Sequence, residues 1–223
     1  MEQHTLGERV DDAAAAATSH AQIGHEEGSR LVQTYLKAKD ENRPHLMALA
    51  FHEQAVVEMS VRTQAISFPP WLNGRDAITD TLVRQFGQTY ENVYSFCLQR
   101  PLAPLRANAF HCDWMVAMTD KATHRVRVGA GRYAWHFRHD ANAWSIDYLG
   151  IEIAAMEILP ASDMPMIESW LQSLGYPWAC PEVALTCMPA STTLDAVRDC
   201  LRRAVVPASQ ELRSQQRTWV ARP

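Results

Sequence analysis

The sequence predicts an α+β fold: a cone-shaped half-barrel in which three N-terminal helices cover a strongly bent antiparallel sheet, followed by a C-terminal helical extension. Three observations predict it. Apolar residues recur at helical spacing in the first third of the chain, for example Val32, Tyr35 and Leu36. Long strand-like segments follow, separated by short turn signals such as Thr119-Asp120-Lys121 and His139-Asp140-Ala141-Asn142. After Leu159-Pro160 the character changes, with prolines at 160, 165, 177, 181, 189 and 207.

The elements follow in order. Residues 1–27, with the run Ala13 to Ala17, read as an N-terminal arm or short helix without chemistry. A first helix is predicted over 26–39. Asp40 to Pro44 forms a polar break, and Pro44 suits the first turn of a second helix carrying Leu46, Met47, Leu49, Ala50 and Phe51. His52 then stands at the end of that helix. Residues 55–61 alternate as a strand. Phe68 to Arg75 is a loop punctuated by Pro69, Pro70 and Gly74. A third helix over 76–88 puts Ile78, Leu82 and Phe86 on one stripe, with Asp76 at its N-terminal end, where the helix dipole favours negative charge. Strands are predicted over 92–99, 108–118, 124–138 and 143–156, and short helices over 164–174 and 192–205. The organisation is therefore an arm over 1–27, a central domain over 28–159, and an extension over 160–223 that packs on the core or on a partner subunit.

Composition narrows the function classes. Lys and Arg total 21 against 25 Asp and Glu, a net charge of -4, which argues against a phosphate-driven nucleic-acid binder. No apolar run reaches the roughly 18 residues of a membrane span, and no secretory signal opens the chain. The five cysteines are odd in number and lack Cys-x-x-Cys spacing, so they read as reduced thiols in a cytoplasmic protein. Cys97 and Cys112 lie mid-strand and read as buried and inert. His136 and His139 have no acidic or cysteine partner at suitable spacing, so no metal site is expected. There is no nucleophile elbow and no phosphate-cradling glycine loop.

Several strings resemble the nuclear transport factor 2-like superfamily, which includes ketosteroid isomerases, limonene-epoxide hydrolases, scytalone dehydratases and SnoaL-like cyclases. They are Leu31-Val32-Gln33-Thr34-Tyr35-Leu36, then Leu49-Ala50-Phe51-His52-Glu53-Gln54-Ala55-Val56-Val57-Glu58, then the segment from Phe68 through Gly74-Arg75-Asp76 to Ile78, and Trp144-Ser145-Ile146-Asp147-Tyr148. The resemblance covers about residues 28–157. It implies a cone with an apolar interior, a small apolar ligand, no cofactor and a homodimer formed through the open sheet face. Against the isomerase template, Tyr35 falls where the oxyanion-holding Tyr sits, and Tyr133 near the second donor. The base position falls at Met59, with Glu58 beside it, and Met cannot abstract a proton. Against the epoxide-hydrolase template, Asp113 and Asp147 stand for the two carboxylates and His111 for the bridging Arg. Val57 and Met59 replace the residues that hold water.

The residues themselves support a similar candidate set. His111 and Asp113 are two apart on one strand, so they share a face. Alternation places Asp147 with Leu149 and Ile151. Paired carboxylates suit acid–base chemistry because proximity drives their pKa values apart. The bland alternative pairs Asp113 with an arginine such as Arg125 or Arg127 and leaves Asp147 to a turn or to solvent. The catalytic candidates are thus Asp113, Asp147, His111 and Tyr35, with Tyr133, Trp71, Met59, Val57, Glu58 and Leu149 lining the ligand site. The expected function is cofactor-free acid–base catalysis on a small apolar molecule, with hydrolysis, dehydration and isomerisation all open. The alternative is a non-catalytic binding or assembly module of the same fold.

Overall fold

The computed structural model describes residues 21–140 and 143–205. Residues 1–20, with the alanine run of the expected arm, the pair Ala141-Asn142 of the expected turn, and residues 206–223 of the expected extension lie outside the described residues.

Helix α1 (His25–Asp40) carries Glu26 and Glu27 in its first turn and Lys37 and Lys39 in its last, matching the helix dipole at both ends. Leu31, Val32, Tyr35, Leu36 and Lys39 form its buried stripe. The second helix expected at Pro44 is only a 3₁₀ turn, Pro44–Leu49. Phe51 instead opens strand β1 (Phe51–Val61), so His52 is a strand residue, its Nε2 3.4 Å from Asp140 Oδ2. A run of apolar residues this short has no clear period, and sheet pairing decided its state. The proline-rich loop contributes a short strand, β2 (Trp71–Asn73), paired antiparallel to β1. Next comes one helical run: α2 (Arg75–Thr79), a π-helical turn (Asp80–Gln85) and α3 (Phe86–Thr89).

The remaining strands are β3 (Tyr90–Cys97), β4 (Ala109–Asp120), β5 (Val126–Asp140) and β6 (Ala143–Leu159). They form one bent, open sheet in the order β2-β1-β6-β5-β4-β3. One pairing departs from the antiparallel expectation: β1 lies parallel to β6, with Val57 opposite Leu149. The β3–β6 meander leaves β3 at one edge of the sheet and places β6 beside β1, which runs the same way.

Each sheet face packs against a different set of helices. The inner face presents Phe110, Cys112, Trp114, Val116 and Met118 of β4 and Tyr133, Trp135 and Phe137 of β5 to the N-terminal helices. On the outer face, Met115 and Ala117 of β4 and Val128 and Ala130 of β5 meet the extension through Ile167, Trp170, Val197 and Leu201. The extension comprises α4 (Met164–Gln172), α5 (Pro181–Thr186) and α6 (Asp195–Val205). It therefore covers part of the face expected to form a dimer. Between α4 and α5 the chain also borders the free edge of β3: Cys97 N donates to Pro177 O at 2.8 Å, and Ala179 N to Cys97 O at 2.9 Å. Among the described residues no helix is long and apolar enough to cross a membrane.

Candidate functional site

A small, partly open cavity lies between the inner sheet face, α1 and the second helical run. Its walls are mostly apolar, including Met59, Leu82, Phe86, Val116, Met118 and Ile151. Tyr35 enters from α1 and Tyr133 from β5, both nearly fully buried. The Tyr35 ring meets Phe51 and Trp135 edge-on at 5.4 and 5.6 Å, and Trp114 stacks on Tyr133 at 5.2 Å. The indole N–H groups of Trp114 and Trp135 are buried without a hydrogen-bond partner among the described residues. Burial, then the nearby Asp40 charge, raises the Tyr35 pKa, and burial followed by the neighbouring Tyr35 raises that of Tyr133. Both phenols therefore stay protonated and act as hydrogen-bond donors.

One end of the cavity is polar. Lys39 Nζ donates to Asp40 Oδ1 at 2.6 Å and to Ser95 Oγ at 2.7 Å, and stands 4.8 Å from the centre of the Phe86 ring. Ser95 donates its backbone N–H to Asp40 Oδ2 at 2.7 Å and its hydroxyl to Oδ1 at 3.0 Å. Tyr176, from the extension, adds its hydroxyl to Asp40 Oδ2 at 3.1 Å. Lys39 and Ser95 line the cavity while Asp40 does not. The side chains of Lys39 and Asp40 are 8% and 2% exposed, so this is a buried ion pair with its acceptor well satisfied. Sequence reasoning missed this cluster. Its one local signal was Lys39 four residues after Tyr35 on the buried helix stripe.

The expected site residues separate. Tyr35, Met59 and Tyr133 line the cavity. Val57 and Leu149 are fully buried in the inner core but outside the lining. Trp71 is 52% exposed on the edge strand, away from the cavity. Glu58 faces outward, where it accepts the Tyr148 hydroxyl at 2.8 Å; burial, then that bond, pushes the Tyr148 pKa up to about 12. His111 and Asp113 do share a face, but Cys112 and Trp114 between and beside them point inward, so both lie on the outer face. There Asp113 accepts from Arg132 Nε at 3.4 Å and lines a polar outer groove with Glu152 and Arg203. The bland ion-pair alternative thus describes Asp113, with a different arginine.

Asp147 is displaced by a bulge. His136 pairs with Tyr148 and Phe137 with Ile146, so Asp147 is the extra residue of β6. Ile146 and Leu149, three apart, both reach the inner core, and alternation fails between them. Asp147 Oδ1 is buried without a hydrogen-bond partner among the described residues. The structure therefore does not bring Asp113, Asp147 and Tyr35 into one cavity. Among the described residues no group of three His, Cys, Asp or Glu is placed to hold a metal.

Burial, then His136 and Arg132, lowers the His111 pKa below 6.5. The unfolded chain consequently takes up this proton at a higher pH than the folded one. Stability from this group is complete above about pH 6.5 and declines as pH falls towards the lower folded value. His111→Gln is expected to flatten the pH 5–7 slope of the urea midpoint; an unchanged slope would refute this assignment.

No protein-family model and no curated protein sequence matches the chain. Solved structures do. The chain is similar to a nuclear transport factor 2-like superfamily protein from Salmonella enterica subsp. enterica serovar Typhimurium str. LT2, with TM-score 0.50 and 17% identity, over 59% of this chain and 91% of that one. Hexachlorocyclohexane dehydrochlorinase LinA-type3 from Novosphingobium barchaimii LL02 aligns with TM-score 0.48 and 12% identity, over 60% and 88%. A ketosteroid isomerase-like protein from Erwinia carotovora atroseptica SCRI1043 aligns with TM-score 0.43 and 14% identity, over 58% and 97%. The class of the molecule is thereby defined: it has the nuclear transport factor 2-like fold. At these identities the likeness speaks to the fold alone, because this architecture hosts many chemistries.

Proposed function

We propose that this protein binds a small, largely apolar molecule in the inner-face cavity. The observation that carries this reading is the lining: an apolar, partly enclosed space with a few polar groups at one end, the usual composition of a ligand pocket. Acid–base catalysis by Asp113, His111 and Asp147 is the less favoured reading. Among the described residues no carboxylate or imidazole lines the cavity, and Asp40, bonded to the lining residues Lys39 and Ser95, is engaged by them and by Tyr176.

Three lining methionines, Met59, Met118 and Met156, offer a direct test. In protein labelled with ¹³C at the methionine methyls, ethylbenzene is expected to shift these three resonances saturably, with Kd on the order of 1 mM or below. Met166, exposed on the extension, serves as the internal control. Ethylbenzene leaving the three unmoved, or moving Met166 equally, would reject the reading.

A further inference from the structure

We propose that Lys39 captures carbonyl compounds: its ε-amino group forms a reversible covalent iminium with a small aliphatic aldehyde held in the cavity. The inference rests on the cavity being the binding site and names both the ligand class and the bond that holds it. Three observations lead to it.

First, Lys39 is an unusual cation for its place. Of the 21 basic residues, three are lysines, Lys37, Lys39 and Lys121, and the rest are arginines. Lys37 and Lys121 are exposed, whereas Lys39 is buried and lines the cavity. Arginine is the better partner for a buried carboxylate, but it keeps its proton and cannot act as a nucleophile. A lysine pairs less well and can become a nucleophilic amine.

Second, a proton acceptor is in place. Lys39 Nζ lies 2.6 Å from Asp40 Oδ1. Passing one proton across that bond replaces two buried charges by two neutral groups, which removes their desolvation cost. Ser95 also lines the cavity; it accepts from Nζ at 2.7 Å and donates to Oδ1 at 3.0 Å. It can therefore relay that proton between Asp40 and an oxygen in the cavity. The Ser95 backbone N–H and the Tyr176 hydroxyl hold Oδ2, so Oδ1 is the atom that faces the amine.

Third, the product fits the same surroundings. Lys39 Nζ cedes a proton to Asp40, and its lone pair forms a C–N bond as the carbonyl π pair moves onto oxygen. That oxygen takes the proton through Ser95. The nitrogen then cedes a second proton to Asp40, which passes it to the hydroxyl; the C–O bond breaks and water leaves. One ammonium and one aldehyde have become one iminium and one water. The iminium keeps its positive charge beside Asp40 and near the Phe86 ring, whose centre is 4.8 Å from Nζ, so the carboxylate is not stranded. Leu82, Phe86 and Met118 offer an apolar lining to the alkyl group, and a neutral aldehyde brings no charge to desolvate.

The main test needs no substitution. The protein is treated at pH 7 with isobutyraldehyde and cyanoborohydride, which fixes each iminium as a secondary amine, and labelling of the three lysines is followed by peptide mass mapping. Accessibility alone would make buried Lys39 the slowest. Capture predicts the reverse, with Lys39 labelled at least about tenfold faster than Lys37 or Lys121, because the cavity holds the aldehyde beside the amine. Ethylbenzene should slow Lys39 and leave Lys37 unchanged. Ser95→Ala, which keeps the ion pair, should slow Lys39 labelling at least about tenfold, and an unchanged rate there would overturn the proton relay. Lys39 labelled no faster than Lys37, in protein whose methionine methyls still respond to ethylbenzene, would overturn the proposal and leave the binding cavity intact. Fast Lys39 labelling that ethylbenzene does not slow would place the reaction outside the cavity and overturn it too. Slow Lys39 labelling with methyls that ignore ethylbenzene would remove the cavity reading and this inference together.

Discussion

Gly131→Ala is expected to lower stability by about 3 kcal/mol or more, placing it among the severe single substitutions. A methyl group at this position would stand 1.8 Å from the backbone carbonyl oxygen of Glu152 and 2.9 Å from Trp114 Cζ2. The first neighbour is backbone and cannot rotate aside. The site is also the β5/β6 register shift, where Ala130 opposes Ala155 but Gly131 opposes Ile153. The two strands approach closely there because no side chain stands between them. Relief would require β6 to move away from β5, along the longest pairing in the sheet. Gly129→Ala should be milder, since its nearest obstacle is the flexible end of Met156. Gly24→Ala meets nothing within 4 Å and, at the N-cap of α1, should cost no more than about 1 kcal/mol. Urea midpoints with unchanged m-values measure all three. A Gly131→Ala midpoint equal to that of the parent protein would refute the close approach.

Lys39→Met is expected to cost about 3–5 kcal/mol, because it strands the Asp40 carboxylate in a site where that side chain is 2% exposed. The bonds from Ser95 and Tyr176 survive and place the loss towards the lower end. Ser95→Ala keeps the backbone donor and should cost roughly 1–2 kcal/mol. The comparison that isolates burial is Arg84→Ala. Arg84 pairs with Asp80, but both side chains are more than half exposed, and the expected loss is under about 1 kcal/mol. Equilibrium unfolding at pH 7 reads all three differences. Lys39→Met matching Arg84→Ala would mean that the pair contributes no more than a surface ion pair.

The fold was legible in the sequence because its signals are local. Helical spacing of Leu31, Val32, Tyr35 and Leu36 located α1, and strand-length segments between turn signals located β3 to β6 within a few residues. The Pro44 segment misled because a proline and a short apolar run suit a helix start and a 3₁₀ turn equally. Alternation also decided which residues share a face: His111 goes with Asp113, and Tyr133 with Trp135 and Phe137.

The sequence by itself determined the element order, the face-sharing pairs and the apolar character of the chain. It did not decide which face holds the cavity. From Trp114 to Asp120 every residue of β4 is buried, because helices cover the inner face and the extension covers the outer one. A strand buried on both faces carries no polar alternation to mark the ligand side. The position of Asp147 turned on a bulge, which alternation does not reveal. Lys39, Asp40 and Ser95 meet only when α1 packs on β3, 55 residues later in the chain, and Tyr176 joins from 136 residues beyond Asp40. Tertiary packing alone assembled that polar end, because hydrogen bonds between residues so far apart leave no periodic mark in the sequence.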